Sequence, residues 1–156
     1  MMKQLYEIGI VFRGFVIINY IFKKLPKDSA VTIAGKHKDL RGAFVSAISS
    51  FAESAFTNTS LEYLESGTTL FIFKMASVKS MDSINIEPII LYGLVSKSKQ
   101  KKVDKTVKKF LEKIEPLLQL FIQRYNGRDF CEVNQFQEFQ VDIIKYFDIE
   151  KVEAAN

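Results

Sequence analysis

The spacing of apolar positions opens the chain on two runs of strand type. Leu5 to Phe12 and Phe15 to Phe22 are rich in Ile, Val, Phe and Tyr and are parted only by Arg13-Gly14. Two such runs around a two-residue, glycine-containing loop predict a tight β-hairpin, with Arg where Asn or Asp is more usual. Apolar residues stand side by side within both runs, at Ile10-Val11-Phe12 and Val16-Ile17-Ile18, instead of alternating with polar ones. Strands that are apolar on both sides belong to a sheet covered on both faces.

A basic, irregular connector over residues 23 to 38, containing Pro26 and Gly35, follows the hairpin. Asp39 is placed to cap a helix whose buried stripe is Leu40, Ala43, Phe44, Ala47, Ile48, Phe51, Ala52 and Ala55. The opposite side carries Val45, Ser46, Ser49, Ser50 and Glu53, small and weakly charged for a face in water. After Thr57-Asn58-Thr59, Leu61 to Leu64 and Thr69 to Met75 flank a turn at Glu65-Ser66-Gly67-Thr68, a second hairpin. A loop from Ala76 to Glu87 leads into a fifth strand, Pro88 to Val95, whose first position tolerates the missing proline donor.

From Val103 the period lengthens. Val103, Val107, Phe110, Leu111, Ile114, Leu117, Leu118, Phe121, Ile122 and Tyr125 make the strongest helical stripe, ending at Asn126-Gly127. At 1.5 Å per residue this helix is roughly 35 Å long. Pro116 inside it predicts a kink or a split. A last helix is expected over Glu132 to Phe147, with Val133, Phe136, Phe139, Ile143 and Phe147 on its buried side and a frayed tail after Glu150.

Composition narrows the class. With 156 residues, 47% hydrophobic and 26% charged, the chain suits one folded domain, residues 1 to 150, with residues 151 to 156 as tail. Cys131 is the only cysteine, so no disulfide forms within the chain, and a reducing, cytoplasmic setting is expected; the residue itself is expected to pack beneath the last helix. Glu7 and Arg13 interrupt the N-terminal apolar region, which therefore reads neither as a membrane span nor as a secretion signal.

Candidate chemistry is sparse. His37 is the only histidine and stands between Lys36 and Lys38 without a cysteine nearby, which argues against a metal site or a histidine-based triad. No phosphate-binding GxxxxGK[ST] loop occurs, and Gly9, Gly14 and Gly35 lack the spacing of a dinucleotide fingerprint. Glu62 and Glu65 sit near a turn, where carboxylates ordinarily face water. A non-enzymatic protein without cofactor or metal is expected.

The order strand, strand, helix, three strands, helix, helix resembles the longin domain. Arg41 to Ala52 looks like a longin first helix, and Leu61 to Gly67 followed by Thr69 to Lys74 looks like its third and fourth strands. The resemblance runs from about residue 5 to residue 147. It implies an α+β fold: a five-stranded antiparallel sheet in the order 2-1-5-4-3, with the first helix on one face and the last two on the other. It also implies work in membrane traffic or small-GTPase regulation, as adaptor, tethering or exchange-factor subunits, with pairing through the first helix and an edge strand and no catalytic residues. The long heptad segment and anchor of the vesicle-fusion members are not seen here.

Two surfaces follow as candidates. The outer side of the first helix, Val45, Ser46, Ser49, Ser50 and Glu53 extended by Phe56, is small enough for a second helix to approach closely; the partner expected is another copy, a longin or roadblock subunit, or a small GTPase. Residues 1 to 38 hold seven Lys/Arg against two Asp/Glu, and residues 97 to 109 hold seven Lys against Asp104 alone, in a chain of net charge +4. In the antiparallel order both segments reach one pole. Lys23, Lys24, Lys36, Lys38, Lys97, Lys99, Lys101, Lys102 and Lys105 there are either a solvated flank or a site for an acidic membrane surface or acidic protein. The absence of interleaved aromatics between Ser96 and Lys109 argues against nucleic acid. A peripheral anionic-membrane binder is the alternative function, and a small-molecule sensor of PAS type is disfavoured by the bulky apolar runs.

Overall fold

The computed structural model describes residues 4–25, 43–47, 50 and 62–155, with backbone alone from residue 149 onward. Strands β1 (Leu5–Phe12) and β2 (Phe15–Ile21) form one hairpin, and β3 (Tyr63–Ser66) and β4 (Thr69–Val78) another. Strand β5 (Glu87–Ser96), helix α1 (Val103–Tyr125), a 3₁₀ turn (Val133–Gln137) and helix α2 (Glu138–Ala155) complete the order. Residues 43–47 are also helical. Every pairing is antiparallel and the sheet runs β2-β1-β5-β4-β3, the α+β order expected.

The first hairpin closes with Arg13 at φ 50° and Gly14 at φ 81°. Two left-handed residues give the turn whose twist matches that of paired strands. The adjacent apolar residues of β2 have a specific cause: Ile10 pairs with Ile18 and Val11 with Val16, so Ile17 is an extra, bulged residue. Ile17 and Ile18 therefore both reach the same core cluster, whereas Val16 reaches the other.

Along β4 and β5 the pleat alternates cleanly, while β1 has a second register shift, between Leu5 and Glu7, where it pairs with β5. Leu70, Ile72, Ile89 and Leu91 join Ile8 and Ile10 in a cluster with Phe110, Ile114, Leu117 and Phe121 of α1 and Phe139, Ile143 and Phe147 of α2. Phe71, Phe73, Ile90, Tyr92 and Leu94 point oppositely, into a cluster that includes Val45. Each side has one glycine that lets an aromatic ring lie on the sheet. A Cβ on Gly93 would stand 2.2 Å from Phe110, and one on Gly9 would stand 2.4 Å from Tyr92. Beneath Tyr92, the buried Glu7 carboxylate accepts a hydrogen bond from the tyrosine hydroxyl at 2.5 Å.

Helix α1 runs unbroken through Pro116, so the expected split does not occur. Proline removes one helical donor, but Ile114, Leu117 and Leu118 around it are buried and hold the turn against the core. At the C-terminal end Gly127 has φ 86°, its amide donates to the Lys79 carbonyl at 2.6 Å, and Asn126 Oδ1 accepts the Lys79 amide at 2.7 Å. The helix end is thereby pinned to the loop that follows β4.

Several boundaries move from those expected. β3 begins at Tyr63 and includes Glu65 and Ser66, leaving Gly67-Thr68 as the turn, because Gly67 supplies the required positive φ of 57°. β4 continues to Val78. The last helix starts at Glu138 after the 3₁₀ turn, and its backbone continues to Ala155 past the expected end. Phe136, Phe139, Ile143 and Phe147 are buried as expected, but Val133 is 46% exposed because it opens the 3₁₀ turn instead of lying on the helical stripe. Cys131 is exposed, not packed beneath α2. Asp39, most of the connector, His37, Leu61 and most of the first predicted helix lie outside the described residues.

Candidate interaction surfaces

Residues 43–47 sit over the Val11, Phe71, Tyr92 face in a phase different from the one expected. Val45, expected to face outward, is 0% exposed in the cluster with Phe71 and Phe73. Phe44, expected inward, is 40% exposed and stacks on Phe71 with centroids 6.1 Å apart. Ala43 and Ala47 are exposed too, and Ser46 is half-buried. The difference in phase has a physical reason: at about 100° per residue one step turns the stripe, and an Ala/Ser helix offers little hydrophobic contrast to fix its phase. The exposed small positions are Ala43, Ala47 and Ser50, spaced four and three apart on one side. Ser49, Glu53 and Phe56 lie outside the described residues.

The basic pole is built by the strand directions. β2 and β5 are both antiparallel to β1, so they run the same way and end together, two inter-strand spacings or roughly 10 Å apart. Lys23 and Lys24 follow β2; its Phe22 and Lys23 amides donate to the Tyr6 carbonyl at 2.8 and 3.3 Å. The Lys23 ammonium lies 4.7 Å from the Tyr6 ring centre. Lys97 follows β5 and is engaged by the Glu65 carboxylate. Lys24, Lys99, Lys101, Lys102 and Lys105 are exposed, and no ion pair joins them to a described residue. Lys102 is the N-terminal cap residue of α1 and makes no side-chain capping bond. The first turn's acid, Asp104, accepts a bond from the Tyr63 hydroxyl at 3.4 Å, and burial, with that carboxylate, pushes the phenol up. Lys36 and Lys38 lie outside the described residues.

The opposite pole holds a constellation that sequence reading missed. Arg13, at the hairpin tip, donates to both Asp82 oxygens at 2.8 and 3.0 Å and to both Glu87 oxygens at 2.8 and 2.7 Å. The guanidinium is raised by Glu87 and Asp82, and Asp82 is held well below the usual carboxylate range, first by Arg13 and then by Ser80. Ser80, fully buried, donates to Asp82 at 2.6 Å. Cys131 stands 3.8 Å from Asp82, and the charge on Asp129, with burial and Asp82, pushes its thiol up and away from nucleophilic character. Around this cluster Phe15, Met81, Ile84 and Ile86 are 61, 67, 94 and 70% exposed.

Among the described residues no group of His, Cys, Asp and Glu is arranged to hold a metal ion, and no helix is long and apolar enough to cross a membrane. Comparison with known family models, curated proteins and solved structures finds no match to this chain.

Proposed function

We propose that this chain is a longin-like interaction domain that works by pairing, in the setting of membrane traffic or small-GTPase regulation, and does no bond-making chemistry. The layered arrangement proposed places the first helix on the Phe71, Tyr92 side and the two C-terminal helices on the other. The single observation that carries the reading is the sheet order β2-β1-β5-β4-β3 with Val45 packed on one side and Phe110 on the other. The pairing surface is the exposed side of the first helix, at Ala43, Ala47 and Ser50. Its small side chains let a second helix come close, and its lack of charge leaves little to desolvate. The test is capture from native cytosol on the wild-type chain and on Ala47→Arg, scored for small GTPases and for longin or roadblock proteins. Retention of such proteins by the wild type and their loss from the variant is expected. Equal retention by both would count against the surface.

A second reading is favoured by the convergence of Lys24, Lys99, Lys101, Lys102 and Lys105 at one pole: peripheral attachment to anionic membrane, in the cytoplasm. Basic residues near an acidic lipid surface contribute on the order of 1 kcal/mol each. Flotation with phosphatidylserine vesicles is then expected at low salt and lost at high salt. Failure to float at low salt removes this reading.

A further inference from the structure

We infer that Ser98 is a phosphorylation site for a serine/threonine kinase that reads basic residues around its target, and that a phosphate there releases the basic pole from acidic membrane. The inference rests on the membrane reading of that pole and adds its regulation. Ser98 is the only serine or threonine in the chain with a lysine on each side, Lys97 and Lys99, and Lys101 and Lys102 follow within four residues. A peptide cleft lined with carboxylates selects such a segment by charge. Strand pairing ends at Ser96, opposite Thr69, and α1 begins at Val103, so residues 97–102 lie between two elements without regular structure. Among the described residues, two backbone bonds hold Lys97 to Lys101. The Lys97 amide donates to the Thr68 carbonyl at 2.7 Å, and the Gln100 amide donates to Ser98 Oγ at 3.2 Å. Drawing this segment into a kinase cleft breaks no strand ladder and no helical turn.

Other hydroxyls next to a lysine are poorer targets. Ser80 is buried and donates to Asp82, and Thr106 is buried within α1 and bonded to the Lys102 carbonyl. In the transfer, Ser98 Oγ attacks the γ-phosphorus of ATP and the bond to the bridging oxygen breaks. ADP leaves, and the hydroxyl proton passes to a base of the kinase. The product carries about −1.5 to −2 charges at neutral pH. It stands in a stretch, Lys97 to Lys109, where seven lysines face Asp104 alone. The added charge therefore subtracts directly from the field that draws this pole to anionic lipid. Affinity for such a membrane falls roughly ten- to thirty-fold, the worth of about as many basic residues lost near the surface.

The full chain and Ser98→Ala are each treated with ATP and a purified kinase of this specificity. Fragment mass spectrometry locates the phosphate, and titration with phosphatidylserine vesicles at low salt reads the affinity. The wild type is expected to gain a phosphate on Ser98 and to bind roughly ten- to thirty-fold more weakly than before treatment. Ser98→Ala is expected to bind as the untreated wild type does, with and without treatment. No phosphate on Ser98, undiminished binding of the phosphorylated chain, or an equal loss in treated Ser98→Ala overturns the inference and leaves the membrane reading standing. An untreated wild type that ignores the vesicles removes that reading and the inference together.

Discussion

Arg13 occupies a left-handed backbone conformation that Asn or Gly adopts more cheaply, and its side chain accounts for its presence. One guanidinium fastens the β1–β2 turn to Asp82 and Glu87, which are 69 and 74 residues away. No local pattern links such distant positions, and for that reason the constellation was not legible in the sequence, although the turn itself was. Asp82 yields a pH test. An acid depressed in the folded state stabilises fully above its unfolded value, near about 4, and that stability is lost as pH falls toward the folded value. The melting-temperature gap between wild type and Asp82→Asn is expected to be full at about pH 7 and to close as pH drops below about 4. An unchanged gap in acid would refute the assignment. Gly93 yields a packing test. Its replacement by Ala drives a Cβ into Phe110, an overpacking worth roughly 1–3 kcal/mol in denaturant titration. Phe110→Leu in the same chain is expected to relieve part of that loss; strictly additive effects would show that the two do not touch.

Element by element, legibility followed hydrophobic contrast. Helix α1 has the limits its stripe predicts, Val103 to Tyr125, because ten bulky residues fall on one side and lysines on the other. The first helix has Ala and Ser on both sides, and its phase came out turned, with Val45 inside and Phe44 half out. β2 was legible as a strand but not as a bulged one, since Val16-Ile17-Ile18 satisfies either a doubly covered strand or an inserted residue. The start of α2 was hidden for another reason: Val133 and Phe136 suit a 3₁₀ turn and an α-helix alike. Pro116 within α1 gives the test at this scale. Pro116→Ala restores the donor to the Glu112 carbonyl at an exposed position and is expected to stabilise the chain by up to about 3 kcal/mol. A loss of stability would mean that the proline shapes the helix for its seat on the sheet.

For the whole molecule, antiparallel order does most of the work: it sends β2 and β5 to one pole with their lysines and leaves the hairpin tip, Asp82 and the exposed isoleucines at the other. The convergence of charge was readable from the sequence once that order was assumed. Which face each helix covers decides whether the Ala43, Ala47, Ser50 side is free to pair, and pairing is the central claim. Light scattering of the wild-type chain and of Ala47→Arg across a range of concentrations tests it most directly. The wild type is expected at twice the 17.9 kDa chain mass and the variant at a single chain. A wild type that stays at one chain at every concentration, indifferent to the substitution, would contradict the account.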